Sequence, residues 1–227
     1  MPETLFTSRA GGVSTAPFDS LNLALHVGDE PSSVIKNRKL LAEKIGIPEA
    51  SLFFMNQVHG NSVAVIDENS SATNEPTADA LFTEVKGKAL AVLVADCMPL
   101  LLKSERAVAA VHVGRRGLVA GVIAEVLKHF AKAGIGRTEI SAELGPSICA
   151  NCYQVDVTTY EEVVAIVPGS ATSAELNCLD ISKGIEFQLN GAGVAFESLH
   201  ICVRHSEGYF SYRRDPRTGR QAGVIWL

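Results

Sequence analysis

No apolar run in this chain is long enough to span a bilayer, because the longest one is broken by Asp96 and Pro99. That argues against a membrane-spanning helix. The opening MPETLFTSRAGG lacks the basic-then-apolar profile of a signal peptide. There is no excess of positive charge: 20 Lys and Arg face 25 Asp and Glu, and the net charge of −5 is spread along the chain. A general nucleic-acid or anionic-membrane binder would show a basic face, so both classes are excluded. Cysteine is sparse and odd in number, with five in 227 residues. This reads as reduced thiols in a cytoplasmic protein, not as a disulfide framework. Repeats, low-complexity tracts and Pro/Ser-rich linkers are all missing, so residues 1–227 read as one domain. Walker, GxGxxG, HExxH and paired CxxC signatures are missing too.

What the chain does have is concentrated between Ala89 and Gly117. Two apolar runs, Ala89–Ala95 and Ala107–Val111, are each about as long as a buried strand. The first stops at Asp96-Cys97 and is closed by Met98-Pro99, and the second stops at His112. Buried strands deliver polar groups at their ends, where a pocket can open. Strand patterns also cover Leu5–Thr7, Leu52–Asn56, Ser62–Ile66, Ala78–Thr83, Thr138–Leu144, Leu199–Val203 and Val224–Leu227. Leu52–Asn56 and Ser62–Ile66 read as a hairpin-like pair with His59 near its tip. Helices are expected at Pro31–Ile45, Leu118–Ala133, Thr158–Val167 and Ile181–Leu189, with Asn37 and Arg38 on the solvated side of the first.

His59, Cys97 and His112 each follow a strand-like run at a turn. Two imidazoles and a thiolate suit Zn²⁺, and three protein ligands with an open fourth position mark a catalytic site. The same set would accept copper, with Met98 as a weak axial ligand. A metal-free alternative is a Cys–His nucleophile pair, and a plain one is a buried thiol beside two structural histidines. Gly114-Arg115-Arg116-Gly117 lies between a strand and a helix start, which favours a bound anion, although a solvated basic turn also fits. Arg9 beside Gly11-Gly12, and Arg213 in the turn-rich Gly208–Arg220 segment, are further arginines for which a pocket role and plain solvation are both open. For lone His26 the structural reading is favoured, and for the CxxC of Cys149 and Cys152, a coincidence of spacing beside a turn.

Taken together, these motifs carry a resemblance. Gln57-Val58-His59-Gly60, Ala95-Asp96-Cys97-x-Pro99, His112-x-Gly114-x-Arg116-Gly117, Gly145-Pro146-x-Ile148, Cys152-Tyr153 and the ending FSYRRD…TGRQAG…IWL resemble the purine nucleoside phosphorylase family once described as laccase-like polyphenol oxidoreductases. Thr7-x-Arg9-x-Gly11-Gly12, Ser20-Leu21-Asn22-Leu23 and His26-Val27-Gly28-Asp29 match it as well. The resemblance implies a single-domain mixed α/β (α+β) layered sandwich of mixed β-sheets flanked by helices, related to cysteine-dependent deamidating toxins. It implies zinc held by His59, Cys97 and His112, which are also the catalytic residues, with Arg9, Gln57, Arg116 and Arg213 meeting substrate. Implied activities are phosphorolysis of adenosine, inosine, guanosine and methylthioadenosine, and hydrolytic deamination of adenosine, so the partners are purine nucleosides and phosphate. A copper-dependent polyphenol oxidase and a cysteine amidohydrolase are the alternatives. The oxidase fits poorly, because a blue copper plus a trinuclear cluster needs more imidazoles than six histidines provide if several of them lie elsewhere. The chain departs from the family at Arg115, where Trp is usual, at Val113, at Asn151 and Gln154, and at Arg204, where a Cys is expected.

Overall fold

The computed structural model describes residues 2–172 and 176–227. In chain order the strands are β1 (Glu3–Phe6), β2 (Leu52–Phe53), β3 (Val63–Val65), β4 (Ala80–Thr83), β5 (Ala89–Val94), β6 (Met98–Lys103), β7 (Val108–Val113), β8 (Ser141–Leu144), β9 (Ala195–Ser198) and β10 (Gln221–Trp226). The helices are α1 (Pro31–Ile45), α2 (Arg115–Val119), α3 (Val122–Lys132), α4 (Val157–Ile166) and α5 (Ile181–Ala192). They make a mixed α/β single domain with two mixed sheets. A four-stranded sheet runs β1-β10-β5-β2 and a six-stranded sheet runs β3-β4-β7-β6-β8-β9.

The alternation of side chains explains why the central strands are apolar without a break. In β5, Leu90, Val92 and Val94 face the other sheet, while Ala89, Ala91 and Leu93 pack under α1. In β7, Val108 and Ala110 point between the sheets, and Ala109, Val111 and Val113 face the helices α2 to α5. Each strand is buried on both faces, which is the condition for a continuous hydrophobic run. The layers are therefore α1, the small sheet, the large sheet and the remaining helices. This is the layered sandwich expected from sequence.

Several local expectations need correction. The hairpin of residues 52–66 does not form: β2 pairs in parallel with β5, and β3 pairs in parallel with β4 in the other sheet. The stretch around His59 is instead a bridge between sheets. Pro99 reads as a strand terminator, yet it is the second residue of β6. Its backbone faces the β8 side, where the ladder begins only at Leu100, so its missing N–H breaks no ladder bond. The expected helix Leu118–Ala133 is two helices, separated at Gly121, whose φ of 79° is left-handed. Leu199–Val203 is not a strand; β9 precedes it, and only a bridge from Ser147 to Cys202 remains there. Asn37 is buried, not solvated. Its amide donates to Ser14 Oγ, Ser20 O and Asn22 O and accepts from Val13 N, so it serves the irregular 13–22 loop that lies on that side of α1. Arg38 is likewise covered, stacked on Phe54 at 3.8 Å and paired with Glu75 at 2.5 Å. Among the described residues, no helix is long and apolar enough to cross a membrane.

Candidate metal centre

The chain leaves the small sheet at the end of β5 and enters the large sheet at β6, and Cys97 lies on that crossing. His112 is the fifth residue of β7 and shares the parity of Val108 and Ala110, so its ring points between the sheets. His59 comes from the bridge between β2 and β3. All three ligand atoms lie within 4.8 Å of one another. Cys97 Sγ is 3.9 Å from His59 Nε2, and the two imidazoles meet edge to face with centroids 4.6 Å apart. Burial is graded, with His112 at 3% exposure, Cys97 half-buried and His59 exposed. One side of the cluster is thus open.

Two backbone features hold this geometry. His59 has φ 60° and Asp96 has φ 100°, both left-handed conformations that non-glycine residues rarely adopt. Asp79, fully buried, supports the first. It accepts from His59 N at 2.8 Å and Gly60 N at 2.6 Å, and its Oδ1 lies 2.9 Å from His112 Nδ1. A carboxylate behind a ligand imidazole fixes its tautomer and aims Nε2 at the cluster. Asp96 supports the second. It accepts from Ser211 Oγ at 2.6 Å and Arg213 N at 2.7 Å, which ties the C-terminal segment to the crossing. Gly114 completes the wall, because a Cβ there would stand 3.0 Å from His59 Cδ2 and 3.1 Å from Cys97 Sγ.

The electrostatics favour an anionic thiol. Burial pushes the Cys97 thiol up, but the adjacent His112 charge and the two imidazole contacts outweigh it and bring it down to about 6. Burial pushes His112 down, but the Cys97 thiolate and Asp79 raise it to about 9. Asp79 feels burial upward, yet its His112 and backbone N–H bonds leave it below the usual carboxylate range. Both shifts run toward a thiolate–imidazolium pair. A site so arranged also suits a cation, and the His₂Cys donor set fits zinc.

The cluster forms part of the wall of a cavity of about 500 Å³, shared with Gln57, Tyr153, Tyr212, Arg213, Arg220 and His26. Of the expected substrate residues, Gln57 and Arg213 line it. Gln57 has a structural task as well: its amide donates to Leu93 O and accepts from Leu93 N, capping β5 as a neighbouring strand would. Arg213 lies over the Tyr153 ring at 5.2 Å. Arg9 lines a different cavity, paired with Asp19 at 3.1 Å and stacked on Phe210. Arg116 is exposed and outside the cavity lining. It is the second residue of a helix of only five residues, too short for the strong dipole a long helix would bring. No site role attaches to Asp79 in the sequence; Tyr153, Tyr212 and Arg220 stand only inside the family motifs, without a site role, and His26 reads as structural. The one signal for Asp79 was a charge at the head of the apolar stretch ADALF. For the rest, membership of the wall depends on the tertiary fold.

Fold and site together define a two-sheet protein that presents a His₂Cys ligand set between its sheets. The family described as multi-copper polyphenol oxidoreductase laccase matches residues 3–227, and this chain belongs to it. Its relatives include a purine nucleoside phosphorylase of Streptomyces coelicolor, 43% identical over 227 residues, 98% of this chain and 94% of the relative. A purine nucleoside phosphorylase of Haemophilus influenzae is 37% identical over 232 residues, covering 97% and 92%. Among solved structures, the hypothetical protein YfiH of Bacillus licheniformis superimposes with a TM-score of 0.94 at 28% identity, over 100% of this chain and 92% of that one. YlmD of Geobacillus stearothermophilus gives 0.92 at 29% identity, over 99% and 91%.

Proposed function

We propose that residues 1–227 act as one catalytic domain, a purine nucleoside phosphorylase that also deaminates adenosine, with zinc held by His59, Cys97 and His112. The observation that carries this reading is the convergence of those three donors, backed by Asp79, on a cavity large enough for a nucleoside. Relatives named purine nucleoside phosphorylase across nearly the whole chain support the substrate class. Zinc bound there would supply a Lewis acid and bring the pKa of a water to about 7.

The chain's own residues supply positioning and charge. Tyr153 offers a ring face for a purine. Burial and the Arg220 charge push the His26 imidazole down from its ordinary value, which favours the neutral ring that can accept as well as donate a hydrogen bond. Arg213 and Arg220 bring guanidinium groups to the cavity, where phosphate must lie below the sugar C1′ as positive charge develops there. In this reading the phosphate contact expected of Arg116 passes to these two. We place the enzyme's action in the cytoplasm, where its five unpaired thiols stay reduced.

Two other chemistries compete. The thiolate character of Cys97 favours a cysteine amidohydrolase as the second reading. A multicopper oxidase is less well supported, because among the described residues the ligand clusters contain only three imidazoles, His59, His112 and His205. Purified protein should release free purine from adenosine and inosine only with phosphate, and lose that activity to a chelator. Turnover that survives complete metal removal would replace the zinc reading with the thiol one.

A further inference from the structure

Away from the cavity wall, two turns bring together four side chains that neither phosphorolysis nor deamination uses. The turn after β8 carries Cys149 and Cys152, and the turn after β9 carries Cys202 and His205. Each closes on itself across three residues, with Cys152 N donating to Cys149 O at 3.0 Å and His205 N to Cys202 O at 3.3 Å. The two turns are laid side by side in parallel by the Ser147–Cys202 bridge, with Ser147 N bonded to Ile201 O and Val203 N to Ser147 O. The four ligand atoms consequently all lie within 4.8 Å of one another. Cys152 Sγ is 3.1 Å from His205 Nε2, and Cys149 N donates to Cys202 Sγ at 3.4 Å.

We infer that Cys149, Cys152, Cys202 and His205 form a second, structural zinc site. Three thiolates and an imidazole are a closed tetrahedral donor set, with no position left for a substrate. A zinc tetrahedron with Zn–S bonds of about 2.3 Å has edges of about 3.8 Å. That edge falls between the 3.1 Å separation of Cys152 Sγ from His205 Nε2 and the 4.8 Å limit on the set. This pair therefore opens slightly and the wider pairs close by about 1 Å or less to bring every donor into range. Thiolate donors select zinc over calcium or magnesium. The amide that donates to the Cys202 sulfur is the outer contact that a metal-bound thiolate needs. A disulfide would account for two sulfurs and leave the third cysteine and His205 without a reason to converge. On binding, each thiol loses its proton to solvent and no electron is transferred.

The consequence for the known cavity is direct. Tyr153 follows Cys152, and Arg213 Nη1 donates to Gln154 O at 2.9 Å. Arg214 Nη1 reaches Val203 O at 3.1 Å and Ser206 O at 3.3 Å on the opposite turn. A metal clamped between the turns would therefore hold the cavity wall that carries Tyr153.

Metal analysis after purification without added metal tests this. Wild type is expected to hold two zinc ions per chain, and Cys97→Ala and Cys202→Ala one each. Cobalt substituted into Cys97→Ala should show intense thiolate charge-transfer absorption that Cys97→Ala/Cys202→Ala lacks. His205→Cys should keep the ion, whereas His205→Ala should bind it more weakly. If Cys202→Ala does not fold, thiol counting on folded Cys97→Ala decides: protected thiols that a chelator releases support the site. Thiols that react at once, or an internal disulfide in the freshly reduced protein, overturn it. One zinc in wild type and none in Cys97→Ala would sink this site while keeping the first. One zinc in both would keep this site and sink the first.

Discussion

Around His59, Cys97 and His112 the donors arrive from three separate stretches of chain, whereas Cys149, Cys152, Cys202 and His205 arrive from two short turns. The first set is fixed by strands already buried on both faces and by a buried carboxylate, so it exists because the sandwich exists. The second sits on irregular backbone with little regular pairing, so there the bound ion would help to shape the fold. The first leaves a side open to a cavity and the second is closed. Open three-donor sets favour chemistry and closed four-donor sets favour stability. In the proposed reading the same two residue types, His and Cys, are put to opposite uses by the stiffness of what carries them.

The strongest way to break this comparison is to remove one thiol from each cluster. Cys97→Ala should cut phosphorolysis and deamination by about a thousandfold or more, the scale of losing a Lewis acid, with little change in Tm. Cys202→Ala should do the reverse, leaving measurable turnover while lowering Tm by about 5 °C or more. Steady-state assays beside thermal melts read both. Equal Tm losses from the two substitutions would show that the first cluster is not preorganised. Next in size is Asp79→Asn, which keeps the shape but removes the charge behind His112. Metal affinity at the first site should fall by about 10- to 100-fold, measured by competition with a chelator. An unchanged affinity would mean that Asp79 serves only the His59 backbone.

Much of the first cluster was legible in the sequence because strand ends are legible. Apolar runs that stop at Cys97 and His112 state where the backbone leaves the sheet, and the structure brings both together with His59. The second cluster was overlooked for an instructive reason. A search for a second CxxC passes over Cys202-x-x-His205, whose spacing is the same but whose last donor is an imidazole. The strand expected over Leu199–Val203 holds Cys202 in extended backbone and leaves His205 beyond its end, which conceals the turn that brings the two together. Asn37 failed similarly, since helical periodicity assigns a polar residue to solvent and cannot know that a loop will lie there. Gly121 could have announced the break between α2 and α3, but an isolated glycine inside a helical pattern is usually tolerated.

Smaller perturbations sharpen the contrast at the open site alone. Gly114→Ala places a methyl group 3.0 to 3.1 Å from His59 and Cys97, so one of them must shift. Activity should drop by about tenfold or more with Tm nearly unchanged, because displacement of a reacting group is costly. Full activity would show that the ligands have slack. Arg213→Ala should raise the phosphate KM by about tenfold, the worth of one charge-assisted hydrogen bond. Deamination, which consumes no phosphate, should retain a larger share of its rate. A matched loss in both activities would assign Arg213 to the nucleoside or to Tyr153 instead.

The smallest effect is expected from Arg116→Ala. Arg116 is the second residue of α2, two positions after the Gly114 wall, but its side chain is exposed and the helix is only five residues long. An exposed charge that does not touch the anion acts through the field around the cavity mouth. Such a field raises the local phosphate concentration and is screened over about 8 Å at physiological ionic strength. The substitution should therefore raise the phosphate KM by less than about threefold near 0.15 M salt, and the difference should vanish as salt is added. A direct guanidinium–phosphate contact behaves otherwise, since a paired and partly desolvated charge is only weakly screened. Phosphate KM measured for wild type and Arg116→Ala at low and high salt separates the two cases. A tenfold, salt-independent rise would return the anion to the start of α2, and Arg213 would then be left to the purine side of the cavity.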